Sequence, residues 1–242
     1  MADKGTESMQ GGKSVYGARL GILMLETRFP RFPGDVGNAH TWPFPVLYKV
    51  VRGASSERVV CQKADGLLDA FKEAATELVS LGADGITTTC GFLSLFQDEL
   101  AAHAGVPVAT SSLMQAPFVQ RLLPPGKRVG IITISAEALT EEHLIKAGVD
   151  PSTPVVGTEG GKEFTRAIVG DALELDIAAA ERDILDAGEA LLRQFDDIGA
   201  IVLECTNMGP FSRSLAAHVK LPVFDIVSFA SWFHAGLSPR RF

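Results

Sequence analysis

Three cysteines stand in the chain, at 61, 90 and 205, and two of them sit where chemistry is to be expected. Cys90 follows the run "ITTT" and Cys205 follows "AIVLE", and each leads into small or polar residues, "CGFLSLFQDELAAH" and "CTNMGPFSRSLAAH". A thiol at the exit of a buried strand and ahead of a helix meets free backbone N–H groups and the partial positive charge of the helix start. Both favour the thiolate, lowering a cysteine from about 8.5 towards neutrality. The same N–H groups can hold a carboxylate. A general base works best with a pKa near the working pH, which an activated cysteine meets better than an unperturbed lysine or carboxylate.

The two thiols are in register. Shifting the sequence over itself by 115 positions lays "ITTTCGFLSLFQDELAAHAGVPV" (86–108) on "IVLECTNMGPFSRSLAAHVKLPV" (201–223) without a gap, with nine of twenty-three positions identical. A weaker echo pairs "RLGI" at 19–22 with "RVGI" at 128–131, so each half opens on a strand of the same kind. Two thiols at equivalent places could reach one substrate carbon from opposite faces. One, as thiolate, would remove a proton while the other, as thiol, returned one, inverting a stereocentre. No metal or pyridoxal cofactor is required, and no glycine-rich phosphate loop marks one.

The elements that must position these thiols are apolar, β-branched runs at 19–25, 46–51, 84–89, 106–110, 127–134, 199–204 and 221–226, separated by amphipathic segments such as 66–81 and 177–195. This alternation predicts βαβ units and parallel sheets. The expected fold is α/β: two pseudo-twofold-related Rossmann-like lobes from one duplication, with a cleft between them. Ligands of such sheets bind beyond the carboxyl ends of the strands, where both cysteines stand.

Bulk properties exclude several classes. The formal charge of −7 and the lack of clustered Lys and Arg argue against nucleic acid. No apolar run approaches the roughly 20 residues of a membrane span. The polar, glycine-rich start reads as a floppy tail over residues 1–17 with no signal peptide, so a cytoplasmic protein with reduced thiols is expected. Cys61 belongs to no CxxC or zinc spacing and reads as structural or incidental.

The paired motifs "TTCGF" and "ECTNM" after strands resemble those of the aspartate/glutamate racemase superfamily, which includes glutamate, aspartate and hydantoin racemases, maleate isomerase and arylmalonate decarboxylase. The second motif commonly reads "GCT", and Cys205-Thr206 preserves its last two residues. Gly91-Phe92 stand where amino-acid racemases often carry Asn-Thr. The segment "GILMLETRFPRFPGDVGN" (21–38) looks closer to a branch that includes an algal dimethylsulfoniopropionate lyase, which uses the same fold for proton abstraction and β-elimination.

The resemblance implies a cofactor-independent racemase or epimerase acting at the carbon next to a carboxylate, with Cys90 and Cys205 as the acid/base pair. The alternative is a lyase or decarboxylase on the same scaffold, and a non-catalytic binding protein for small acids is the third class. It also implies a homodimer or larger homo-oligomer, a small carboxylate as substrate, and a C-terminal segment that returns to the first lobe. The expected division is 18–112 plus 212–242 for lobe 1 and 113–211 for lobe 2.

The amides near Gly91, Phe92, Thr206 and Asn207 are the expected anion holders, with Asn207 adding a side-chain donor or acceptor. Thr27 and Ser135, which close the first strands of the two lobes, are further substrate-binding candidates because family members often place a small polar side chain there. Glu26 ranks below them, and Glu204, by strand alternation, should point away from the cleft. Thr110, Ser111 and Ser112 fit an N-cap cluster as well as a site. His103 and His218 read as helix-end residues, whereas His40 lies in a loop that could meet a ligand. That loop, 28–45, holds four prolines and four large aromatics, which suits either a lid or a subunit contact.

Overall fold

The computed structural model describes residues 11–239; residues 1–10 of the expected tail lie outside the described residues. Within that tail, residues 13–15 are tied down: the Val15 amide donates to Leu81 O at 2.8 Å and Lys13 pairs with Asp84.

Two four-stranded parallel sheets carry the fold. The first runs in the order β2-β1-β3-β4, with β1 Leu20–Leu25, β2 Val46–Val51, β3 Gly85–Thr88 and β4 Val108–Ala109. The second runs β6-β5-β7-β8, with β5 Arg128–Thr133, β6 Val155–Gly157, β7 Ile198–Leu203 and β8 Val223–Phe224. The same order in both sheets is the duplication made visible. Sequence periodicity passes over β6, which has three residues between the turn-rich "DPSTP" and "TEGG".

Helices α1 (Ser56–Cys61), α2 (Leu68–Leu81), α3 (Gln97–Ala104), α4 (Ala116–Leu122), α5 (Glu141–Lys146), α6 (Phe164–Val169), α7 (Ile177–Gln194), α8 (Ser212–Val219) and α9 (Ile226–Leu237) flank the sheets. α2 buries Phe71, Ala74, Ala75 and Leu78, the i, i+3, i+4, i+7 spacing that turns one stripe to the core. Removing a side chain such as Phe71 from water contributes roughly 2–3 kcal/mol. α7 repeats the pattern through Ala180, Ile184, Ala187 and Leu191. Its buried Asp183 accepts from the backbone amides of Lys162 (3.1 Å), Glu163 (2.7 Å) and Phe164 (2.8 Å), tying down the start of α6.

The division between lobes differs from expectation. β8 pairs in parallel with β7, and α8 packs on α7, so residues 212–224 stay with the second sheet. The reason is that β7-α8-β8 is a βαβ unit equivalent to β3-α3-β4. The chain returns to the first lobe only at α9, where Ile226, Phe229 and Ala230 pack with Leu20, Ile22, Trp42 and Ala109.

Candidate active site

Four strand exits converge. β1 ends at Leu25, β3 leads to Cys90, β5 to Ile134 and β7 to Glu204 and Cys205. Leu25, Cys90, Ile134, Glu204 and Cys205, with Phe29, Arg31, Ser56, Val60, Thr89, Phe92, Ile168 and Asn207, line a single cavity of about 10 Å³. That is room for about one water molecule. The lobes are pinned at this point by Thr206, whose hydroxyl donates to Thr89 O at 2.7 Å, and by Ser112, whose hydroxyl reaches Glu204 O at 3.2 Å.

Both thiols are buried. Contrary to the expected activation, burial pushes Cys90 and Cys205 well above the ordinary thiol range, and the nearby Glu204 carboxylate pushes in the same direction. Backbone amides oppose this, those of Phe92 and Leu93 at Cys90 and that of Asn207 at Cys205, but they are outweighed. The elements after the cysteines explain the shortfall. Cys90 precedes a 3-10 turn, Gly91–Phe96, before α3 begins, and Cys205 is followed by a turn and the short Gly209–Phe211 segment before α8. Neither thiol sits at the first turn of an α-helix, where the dipole is concentrated.

The surroundings of the two thiols differ. Cys205 donates its S–H to Asn207 Oδ1 at 3.5 Å, and Asn207 Nδ2 donates to Asp35 Oδ2 at 2.6 Å. A carboxylate only accepts, so Asp35 fixes the amide orientation and turns its oxygen to the thiol. Asp35 Oδ1 in turn accepts from Arg31 Nη1 at 2.7 Å and from the Gly37 amide at 2.7 Å. Arg31 Nη2 donates to Thr27 Oγ1 at 2.8 Å, and its guanidinium lies 4.3 Å from the centre of the Phe29 ring. Cys90 has no such side-chain chain. Burial and the Glu204 carboxylate act on its thiol in one direction, the Phe92 and Leu93 amides of its own turn and the Arg31 charge in the other.

Glu204 does not point away. It lies one residue beyond β7, where alternation no longer governs direction, and at the margin of the cavity its buried carboxyl is held between Thr133 and Gly91. Oε2 accepts from Thr133 Oγ1 at 2.7 Å, whereas Oε1 is buried without a hydrogen-bond partner. A Cβ on Gly91 would stand 2.2 Å from that Oε1, so the glycine after Cys90 makes room for the carboxyl. Burial raises Glu204 to about 7, against lowering by Thr133 and the Ile134 amide.

This raised value has a stability consequence. The folded state holds the Glu204 proton more tightly than the unfolded chain, whose carboxyl has the ordinary value of 4.5. The stabilising contribution is complete below pH 4.5 and is lost as pH rises through about 7. The difference is on the order of 3 kcal/mol. Glu204→Gln is therefore expected to be more stable than the parent at pH 8, and to lose the fall in stability between pH 4.5 and 7, as measured by urea unfolding across that range.

The remaining candidates are placed as follows. Phe92 and Asn207 line the cavity, Gly91 does not and packs against Glu204, and the Thr206 hydroxyl is taken up by Thr89. Thr27 supports Arg31, and Ser135 accepts from the Ala138 amide at 3.2 Å; neither lines the cavity. Glu26 accepts from the Gly53 amide at 2.7 Å. Ser111 caps the turn beginning at Ser112. His103 meets Thr76, His218 meets Glu189, and His40 is exposed in a short 3-10 turn. Among the described residues no three His, Cys, Asp or Glu side chains are grouped to hold a metal ion, and no helix is long and apolar enough to cross a membrane.

Arg31 and Asp35 were passed over in the sequence because they lie in the proline-rich loop. Their signal is a basic and an acidic residue four positions apart inside a segment otherwise apolar enough to be buried. The loop covers the cavity. It rests on the segment after Cys205, where a Cβ on Gly209 would lie 2.3 Å from Gly34 O. It is also held to the second lobe by Asp171, which accepts from the amides of Arg28 and, at 3.1 Å, Phe29. A cavity this small admits a substrate only when the loop moves. Asp171→Ala removes two charge-assisted hydrogen bonds, worth about 1–3 kcal/mol together. Tryptic cleavage after Arg28 or Arg31 is expected to accelerate roughly tenfold on that change, read by timed digestion and mass spectrometry.

Comparison with known proteins agrees with this architecture. A dimethylsulfoniopropionate lyase of Durusdinium sp. clade D is 30% identical over 233 residues, covering 92% of this chain and 76% of the relative. Dimethylsulfoniopropionate lyase 7 of Emiliania huxleyi is 31% identical over 230 residues, covering 90% and 67%. A variant of arylmalonate decarboxylase in a sulfate-associated form shares the fold, with a TM-score of 0.63 at 15% identity, over 92% of this chain and 95% of that one. The family model described as Asp/Glu/Hydantoin racemase matches residues 112–233. With two like-ordered parallel sheets and a cysteine from each meeting in one cavity, the chain belongs to the Asp/Glu/hydantoin racemase family of enzymes.

Proposed function

We propose that this protein eliminates a neutral thioether from a 3-sulfoniopropionate, with dimethylsulfoniopropionate as the prototype substrate. The observation that carries the reading is the lining of the cavity. Leu25, Phe29, Val60, Phe92, Ile134 and Ile168 surround the two thiols, and among the described residues Arg31 is the sole cationic side chain there. Arg31 already serves Asp35 and Thr27; its remaining N–H groups suit one carboxylate. An aspartate or glutamate substrate brings two. A sulfonium instead places methyl groups and positive charge against the Phe92 ring, a favourable arrangement for a cation. The names of the two algal relatives support the same substrate class.

The chemistry assigns different work to the two thiols. Cys90, as thiolate, takes a proton from the carbon next to the carboxylate. The C–H electron pair becomes the new C=C bond, and the C–S pair leaves on sulfur, giving acrylate and dimethyl sulfide with the proton on Cys90. The leaving group departs neutral and needs no acid. Cys205 keeps its proton, held towards Asn207 Oδ1, and donates a hydrogen bond within the closed site. The closed loop excludes water, which strengthens each polar interaction with the developing charge.

Racemisation by the same pair is the second reading, favoured by the equivalent placement of the cysteines in the two halves. Incubation in heavy water with dimethylsulfoniopropionate and with a panel of amino acids separates them. Acrylate and dimethyl sulfide by NMR, with amino acids keeping their optical purity, is the expected result. Deuterium at the α-carbon with loss of optical purity and no acrylate would overturn it.

A further inference from the structure

We propose that the apolar face formed by α4 and α9 is where a second copy of this chain docks, the two copies being related by a twofold axis. The face shares no lining residue with the cavity of the thiols, and the proposal does not depend on the reaction above. Phe118, Leu122 and Trp232 are 65%, 61% and 69% exposed. Phe118 and Trp232 border a groove of about 350 Å³, lined also by Met114, Val119, Phe224 and Phe229. Trp232 is propped on the Phe229 ring, with 5.8 Å between ring centres and 14° between planes, and Phe118 and Leu122, four positions apart, share one stripe of α4. Single apolar residues scattered over a surface are ordinary, whereas a contiguous group around a groove marks an interaction site. The duplication sharpens the contrast. Shifted by 115 positions, Phe118 and Leu122 fall on Phe233 and Leu237 of α9. Those two pack on β3, where a Cβ on Gly85 would meet them at 2.9 and 2.6 Å. Their equivalents in α4 face water.

Charge selects a second copy as the occupant. The chain carries a formal charge of −7, so two copies repel over most of their surface and approach closely only where acidic side chains are absent. α9 contains no Asp, Glu, Lys or Arg, and α4 contains Arg121 alone. Asp225, at the start of α9, is taken up by the Ser212 hydroxyl and the Ser228 amide. A strongly basic or acidic partner would find almost no counter-charge here. The area also fits. Full burial of an aromatic side chain removes roughly 150–250 Å² from water, so Phe118 and Trp232, about two thirds exposed, offer roughly 200–330 Å² together. That makes the apolar centre of a dimer in which each partner buries roughly 800 Å², with the exposed Gln120, Arg121 and Ser228 as its polar rim. In a twofold contact the same patch meets itself. This patch carries both halves of such a fit, because Trp232 stands beside a groove and can enter the groove of the other copy.

Sedimentation velocity of the full chain over a hundredfold dilution series tests this. The parent should sediment at twice the chain mass of 25.7 kDa. Phe118→Glu and Trp232→Glu each place a carboxylate on both sides of the axis and should weaken the association at least about 30-fold, as loss of a central anchor does. Leu173→Glu, which alters a similarly exposed apolar side chain outside the face, should leave it unchanged. If the parent forms a larger assembly, the two variants at the face should halve its mass. Unchanged far-UV circular dichroism establishes that the variants fold. A second readout needs no variant: Trp42 is already buried, so a red shift of tryptophan emission on dilution reports Trp232 coming free. A parent that stays monomeric throughout the series would overturn the proposal, as would an assembly that neither Phe118→Glu nor Trp232→Glu disturbs or a tryptophan emission that does not change as the assembly dissociates.

Discussion

Cys90→Ser is expected to lower kcat/KM for elimination by about 10³-fold, in the range that loss of a positioned acid/base group produces. A serine hydroxyl fills nearly the same space but holds its proton far more tightly than a thiol does. Cys205→Ser should cost far less in the same assay, about 10-fold, because the departing thioether is neutral and no carbon is reprotonated. The two variants thus separate elimination from racemisation, which requires both thiols equally. Headspace gas chromatography of the thioether measures the rates, and equal unfolding midpoints establish that the comparison concerns chemistry. A Cys90→Ser protein within tenfold of the parent would show that Cys90 is not the base.

Asp35→Ala carries the largest expected loss of stability. Asp35 is almost fully buried and accepts from Arg31, Asn207 and the Gly37 amide. Its removal leaves the guanidinium of Arg31, itself largely enclosed, without a counter-charge. Breaking a buried ion pair from one side costs about 3–5 kcal/mol, which for a chain of this size lowers the midpoint of thermal unfolding by roughly 10 °C. Replacing both partners, as in Arg31→Met with Asp35→Leu, should cost less than Asp35→Ala alone, because no unpaired charge remains. Activity should fall in both, since Asn207 loses the group that turns its oxygen to Cys205. Calorimetry of the three proteins checks the order, and an Asp35→Ala midpoint within 2–3 °C of the parent would show that Arg31 finds another partner.

Much of the scaffold was legible in the chain. Strand exits at Cys90 and Cys205 follow from apolar runs ending in polar residues, and the shift of 115 positions relates the two halves. Alternation and the 3.6-residue period report which face of an element is buried, and a duplicated segment reports which positions are equivalent. Both are local or pairwise properties of the chain, so parallel sheets in two related halves and the equivalent positions of the thiols are read from sequence, whereas the strand order, with β6 at one edge, comes from the fold.

The tertiary structure decided the chemistry around those thiols. Asp35 and Asn207 are 172 positions apart, and no spacing rule connects them. Glu204 escapes strand alternation because β7 ends one residue earlier. The placement of residues 212–224 was settled by the pairing of β8 with β7, a contact that the motif boundary did not convey. The expected activation of the cysteines failed for the same kind of reason. A helix start acts over one turn of neighbouring residues, whereas the desolvation and negative charge that raise both thiols are summed over every group the fold brings around the cavity. Proton affinity in a buried site is a property of that enclosure, and only the assembled lobes and the loop laid across them create it.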